Sequence, residues 1–242
     1  MFKSLFTNIS NVVRGSSRFT EGSAMELLHD VDVPVEKATF GMGCFWGIDS
    51  LYGGKVGVIR TKVGYGGGKM ANPTYYNIGD HTEITQVDFD PKKITYEDLL
   101  KEFWKNHDPS YKMKTQYCSL ILYHSPEQKA LAEKTKEEYK QTQKKEASTR
   151  IEPFDKFYDA EGYHQKYHLQ QHTWLCSALG LDDPDSSLLL QSHVAARLNS
   201  FLVGFGSLPQ LEAEAPRLGL DEQSLEYVRR FFIKYQGRGI TC

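Results

Sequence analysis

Gly43-Cys44-Phe45-Trp46-Gly47 brings together the residue types best suited to chemistry in this chain. A cysteine stands between glycines and is followed at once by two large aromatics. Glycine permits a sharp turn or a close backbone approach. Residues 37–42 read as a short buried strand and residues 45–52 as one or two helical turns, so Cys44 falls where a strand ends and a helix begins. Backbone N–H groups and the positive end of the helix dipole favour a thiolate there, and the thiolate is the reactive form. Cys44 is therefore a candidate nucleophile. The competing reading is a buried structural cysteine, because reduced cysteine is among the most buried residue types.

The elements that must position this residue follow along the chain. With a strand at 55–65, the first segments suggest a βαβ unit, although its crossover is shorter than parallel neighbours usually need. Gly64-Tyr65-Gly66-Gly67-Gly68 ends that strand in a loop to Asp80; no Gly-Lys-Ser/Thr follows, which weakens a phosphate-loop reading. A strand at 83–89 closes at Asp90-Pro91. Thr95 caps a helix with Tyr96, Leu99, Leu100, Phe103, Trp104 and His107 on one face, stopping near Asp108-Pro109. A strand at 117–123 precedes a charged, solvated helix opened by Ser125-Pro126 and running to about Ala147. Irregular, aromatic-rich sequence continues to about His172. From about Trp174 the segments 188–203 and 220–235 read as apolar helices with no strand between them. Leu225, Val228, Phe232 and Tyr235 recur at helical spacing, and Gly237 ends the last helix. The five residues from Arg238 to Cys242 reach ~17 Å at most, which makes Cys242 a thiol on a short tether.

Composition narrows the function classes. The chain has 242 residues, 40% of them hydrophobic, enough for one globular domain with an appendage. The net charge of −2 gives no basic excess for nucleic acid or an acidic membrane. No apolar stretch approaches the ~18 residues of a membrane span. Cys44, Cys118, Cys176 and Cys242 are far apart and form no CxxC, so neither a zinc site nor a secreted disulfide framework is expected. Residues 1–23 carry Lys3, Arg14 and Arg18 with no acid before Glu21, the composition of a mitochondrial transit peptide or of a disordered tail. The expected location is cytoplasmic, mitochondrial or both. The expected organisation is a tail at 1–30, a catalytic domain at 31–173 and a helical extension at 174–242.

An ordered set of motifs then points to a family. Gly-Cys-Phe-Trp-Gly at 43–47 is followed by Gly64-Tyr65-Gly66-Gly67-Gly68, Asn72-Pro73-Thr74-Tyr75, His81-Thr82-Glu83 and Asp90-Pro91. Phe103-Trp104-Lys105-Asn106-His107-Asp108-Pro109, Thr115-Gln116-Tyr117 and Tyr163-His164-Gln165-Lys166-Tyr167 complete it. This resembles peptide methionine sulfoxide reductase type A. The resemblance implies reduction of free and protein-bound methionine S-sulfoxide by an α+β two-layer sandwich around a mixed sheet, with a ferredoxin-like core. It implies Cys44 as nucleophile, Phe45 and Trp46 as the wall receiving the substrate methyl, and Glu83 as the acid that protonates the sulfoxide oxygen. Tyr75 and Tyr117 would hydrogen-bond that oxygen, and Asp108 would help hold the polar network. A carboxyl in an apolar pocket has a raised pKa, which suits a proton donor. No bound cofactor or metal is implied; electrons would come from thioredoxin, and the enzyme would act as a monomer. The chain departs from the family at Asp49, usually Glu; at Cys118, often Arg; and at Asp80, usually Gly.

The thiol that resolves a sulfenic acid on Cys44 must be argued from mobility, because the C-terminus also departs from the family. Cys118 falls in a strand and points away from the Tyr117 face. Cys176 lies at an expected helix start. Cys242 has the reach and freedom to approach Cys44 and rank first, with Cys176 second. Two other classes compete: a cysteine hydrolase using His81, His107 or His164 as base, and a non-catalytic binder of oxidised methionine.

Overall fold

Strand β1 (Glu36–Met42) leads through a turn at Gly43 into helix α1 (Phe45–Gly53) in the computed structural model, which describes residues 29–239. Cys242 and residues 1–23 lie outside the described residues. The turn depends on Gly43, whose φ is +94°; a Cβ there would meet nothing within 4 Å, so the constraint is torsional rather than steric. Every residue of α1 except Trp46 is buried. A helix with no solvated face must be covered all round, and α1 lies between a sheet and a second buried helix.

The sheet is built from β1, β2 (Val58–Gly66), β3 (Thr82–Phe89), β4 (Ser119–Tyr123), β5 (Arg150–Pro153) and β6 (Tyr158–Asp159), in the order β5-β4-β1-β3-β2-β6. All pairs are antiparallel except β4 with β5. The fold is α+β around an open mixed sheet. β1 and β2 are not neighbours, so the expected βαβ unit is split: β3, buried along its whole length, lies between them. β5 and β6, expected as irregular sequence, have only four and two residues, too few to show an alternating pattern.

Helices α2 (Tyr96–Lys105) and α3 (Pro126–Gln143) join α1 in one core: Ile48, Leu51, Leu99, Phe103 and Ala132 meet Phe40, Val87 and Phe89 of the sheet. Thr95 starts α2 through a capping box with Asp98. Side chains alternate along β3, so Glu83 shares the helix-covered face of Val87 and Phe89, while Ile84 packs on the opposite face with Leu120 and Leu122.

The C-terminal helices are α4 (Tyr167–Gln170), α5 (Thr173–Ala178), α6 (Ser187–Gln191), α7 (His193–Phe201), α8 (Leu208–Glu214) and α9 (Glu222–Tyr235). They enclose a separate core that includes Leu169, Cys176, Leu198, Phe201, Val228 and Phe232. The helix expected at 188–203 is two: the backbone leaves helical geometry at Ser192, whose Oγ accepts the Ala195 N–H at 2.9 Å and starts α7 afresh. α8 was not anticipated between the two long segments. Gly237, at φ +75°, follows the end of α9. Among the described residues no helix is long and apolar enough to cross a membrane.

α7 covers the side of α1 that faces away from the sheet. A Cβ on Gly53 would lie 2.5 Å from the Ala196 carbonyl oxygen, so the two helices meet backbone to backbone. The buried Arg197 donates to the carbonyls of Gly53 at 2.8 Å and Lys55 at 3.3 Å, placing a cation at the C-terminal end of α1, and pairs with Glu214.

Candidate active site

Cys44 is the N-cap residue of α1, in extended backbone geometry and partly exposed. The next residue, Phe45, donates its backbone N–H to Glu83 Oε2 at 3.1 Å. That bond fastens the first turn of α1 to β3 and sets the Glu83 carboxyl beside the cysteine. Gln116 Nε2 donates to Glu83 Oε1 at 2.9 Å. Glu83 is only 1% exposed, and burial raises its pKa although both hydrogen bonds work to lower it. Each of these donors is neutral. No full positive charge among them favours the carboxylate, so desolvation prevails and the carboxyl is suited to carry a proton.

Tyr117 sits in a short 3-10 turn (Thr115–Tyr117) that also carries Gln116. Its hydroxyl is held well above the ordinary tyrosine range, first by desolvation and then by Glu83, a hydrogen bond with Tyr75, and Cys44. Those influences locate four groups together: the Cys44 thiol, the Glu83 carboxyl and the two tyrosine hydroxyls. Tyr75 is fixed from behind by its backbone N–H, which donates to Glu161 Oε1 at 3.0 Å.

An aromatic cluster follows Cys44 directly along the chain and includes Phe45, Trp46, Tyr65 and Tyr75. Phe45 is buried against Tyr65 and the His164 ring. Trp46 stacks on Tyr167 at 3.7 Å with the rings 4° from parallel, and its Nε1–H donates to His164 Nδ1 at 3.1 Å. Nδ1 is therefore the unprotonated nitrogen of His164, and burial lowers the pKa of that imidazole while Glu161 works against the shift. Glu161 binds the wall together. It accepts from Tyr65 Oη at 2.7 Å; burial raises its pKa, but the bonds from Tyr65 and the Tyr75 N–H outweigh burial and hold it below the usual carboxylate value.

The segment carrying His164 is anchored by its successors. Gln165 is fully buried and completes the edge of β2, accepting from Val63 N–H at 3.0 Å and donating to Val63 O at 2.8 Å. Lys166 is fully buried with φ +49°. Its ammonium meets Asp49 Oδ1 at 3.1 Å and Thr61 O at 2.6 Å. Asp49 also accepts from Thr61 Oγ1 and from Asn199 Nδ2 of α7. Glu161, Gln116 and the Asp49–Lys166 pair were not singled out from the sequence as site residues. Gln116 and Lys166 lie inside quoted motifs, whereas a lone Glu161 in an irregular stretch carries no signal.

Several expectations are corrected. Asp108 does not hold the site's polar network. It is exposed beyond the end of α2, accepts from Ser110 N–H and Oγ, and faces Lys145; the Ser110 bonds hold its pKa down. The Asp-Pro step is a turn rather than a site element. Cys118 precedes β4 instead of lying in it, and packs against the Ile84–Leu120 cluster on the opposite face, 3.2 Å from Thr82 Oγ1. Cys176 is a core residue of the helical unit, its thiol pushed up to about 11 by burial, which removes it as a ready second thiol. The histidines considered for hydrolysis have other tasks: His81 bonds Met70 O, His107 bonds Phe103 O and Ser119, and His164 bonds Trp46. Asp80, in place of the family's glycine, accepts the N–H groups of Lys69 and Met70 and closes the glycine loop. Among the described residues no cluster of His, Cys, Asp and Glu side chains could hold a metal ion.

Comparison with known proteins accounts for both units. Residues 36–185 match the family described as peptide methionine sulfoxide reductase, and residues 180–232 match the helical domain described for selenoprotein methionine sulfoxide reductase A. A peptide methionine sulfoxide reductase of Drosophila melanogaster is 45% identical over 218 residues, covering 89% of this chain and 87% of that protein. One from Methanosarcina acetivorans is 41% identical over 160 residues, covering 61% of this chain and 85% of its own. The reduced form of Mxr1 from Saccharomyces cerevisiae superposes with a TM-score of 0.53 at 32% identity, over 55% of this chain and 83% of that one. The matched span, the relatives and the shared fold together show that the chain belongs to the peptide methionine sulfoxide reductase family of oxidoreductases.

Proposed function

We propose that the chain reduces the S epimer of methionine sulfoxide, free and in proteins, by the following relay. The Cys44 thiolate attacks the sulfoxide sulfur while Glu83 gives its proton to the oxygen. The hydroxyls of Tyr75 and Tyr117 stabilise charge on that oxygen as an oxyanion hole does. Phe45 and Trp46 receive the substrate methyl. The substrate S–O bond breaks as the oxygen, now a hydroxyl, passes to the Cys44 sulfur; methionine departs and Cys44 becomes a sulfenic acid. The Cys242 thiol condenses with it, a disulfide forms and water leaves. A dithiol reductant of the thioredoxin class then takes up the oxidation by exchange. The observation that carries this reading is Glu83: buried, bonded by neutral donors, raised in pKa and fastened to the residue next to Cys44.

The order β4-β1-β3-β2, with α1 and α2 as crossovers, supports a ferredoxin-like two-layer core. The burial of Cys176 and the opposite-face position of Cys118 support Cys242 as the resolving thiol. Intact-mass analysis after reaction with methionine sulfoxide and no reductant should find one methionine released per chain and a Cys44–Cys242 disulfide. Cys242→Ser should keep that single turnover and lose thioredoxin-driven cycling; undiminished cycling would remove Cys242 from the relay.

A further inference from the structure

Tyr76 is 91% exposed, yet it stands on a constrained turn. Thr74 and Asn77 pair through both backbone bonds, at 3.2 and 3.0 Å, so Tyr75 and Tyr76 occupy the two central positions of a tight hairpin turn. Thr74 Oγ1 accepts the Asn77 N–H as well. Tyr75 is turned inward, with its hydroxyl on Tyr117 and its ring 4.7 Å from His164. The Tyr76 ring meets the Tyr75 ring edge-on at 5.5 Å. Tyr163 is another exposed ring, 47% accessible, and lies 4.2 Å from the His164 ring at a tilt of 44°. Ring contacts therefore run without a gap from Tyr76 through Tyr75 and His164 to Tyr163.

This deepens the proposed sulfoxide chemistry and rests on it. Glu83, proposed to act on the sulfoxide, is buried, whereas Tyr76 and Tyr163 present exposed rings to solvent beside Tyr75 and His164. Free methionine sulfoxide is small enough to use the inner groups alone. A methionine sulfoxide within a polypeptide must lay its flanking residues across the exposed rings. Rings already held by a tight turn and a packed imidazole lose little freedom on contact, and tyrosine offers a large amphipathic face for apolar side chains and peptide planes.

We propose that Tyr76 and Tyr163 form a docking ledge for the unfolded polypeptide that flanks an oxidised methionine, and so favour peptide-bound over free substrate. The test compares kcat/KM for a blocked heptapeptide with a central methionine sulfoxide against free methionine sulfoxide, with dithiothreitol in excess so that the tail and the physiological reductant do not enter. Tyr76→Ala with Tyr163→Ala should lower the peptide value about tenfold, mainly through KM, and leave the free amino acid within about twofold. Tyr76→Phe with Tyr163→Phe should restore the peptide value, since the ring and not the hydroxyl makes the contact. Equal losses on both substrates, or an unchanged peptide value, would overturn the ledge. Failure of the unmodified protein to consume free methionine sulfoxide would instead overturn the underlying reaction, and the ledge with it.

Discussion

One buried carboxyl group meets the first turn of α1 and another is carried by α1 itself, and their surroundings divide them. Glu83 and Asp49 are each 1% exposed. Glu83 is met by a backbone N–H and an amide, both neutral. Asp49 is met by the Lys166 ammonium, the Lys166 N–H, a threonine hydroxyl and the Asn199 amide. Asp49 thus has a lysine nitrogen at 3.1 Å, and the two donors to Glu83 include no basic side chain. The first arrangement keeps a proton available beside a thiol. The second ties α1, β2, the His164 segment and α7 into one joint. Burial therefore does not distinguish a reactive acid from a structural one; the charge of its donors does.

The largest test of this contrast is Glu83→Gln, which keeps the shape and removes the proton. Single-turnover kcat should fall roughly 10²- to 10⁴-fold while the thermal midpoint stays close to that of the parent. The pH dependence follows from the raised pKa of Glu83. Between its ordinary and its raised value, the native protein holds a proton that the unfolded chain has released, so stability falls as pH rises through that window. The proton-donating form is depleted over the upper part of the same window. The parent should therefore show an alkaline fall in rate and a loss of stability relative to Glu83→Gln, and the variant should show neither; a variant that kept the alkaline limb would assign it to another group.

Asp49→Asn should do the reverse. It leaves Lys166 without its counter-charge and should cost about 3–5 kcal/mol of stability, read from denaturant midpoints. The folded fraction should retain kcat within a few-fold. Asp49→Leu with Lys166→Met, which removes both charges, should recover most of the loss. If Asp49→Asn instead cost activity and spared stability, the division between the two acids would collapse. The smallest expected effect is at the turn that sets Cys44. Gly43→Ala has room for its methyl but must hold a positive φ, and should lose about 1–2 kcal/mol in chemical unfolding.

The site was far more legible in the sequence than its supports. Cys44, Tyr75, Glu83 and Tyr117 lie in short stretches where a glycine, a turn or a strand fixes direction locally, and the structure brings all four together. Asp108 had the same local appearance, but the chain beyond α2 carries it to the surface, a tertiary matter that no local pattern encodes. Lys166 reads as solvent-seeking until Asp49, 117 positions away, is brought beside it. The break at Ser192 was hidden because apolar periodicity runs through it, and only the hydroxyl's competition for backbone N–H groups marks the new start. The split of β1 from β2 likewise depends on β3, a strand further along the chain.

Trp46 has an optical consequence. The chain has three tryptophans. Trp104 packs against Phe103 and Tyr139, and Trp174 against Tyr227 on the helical unit. Only Trp46 belongs to the wall beside Cys44, sandwiched with Tyr167 and donating to a neutral imidazole. A sulfoxide bound against that indole, as proposed above, would change its surroundings, so its ultraviolet emission would register occupancy of the site over the emission of the other two. The enzyme thus carries its own reporter, and binding can be followed by fluorescence titration without a label.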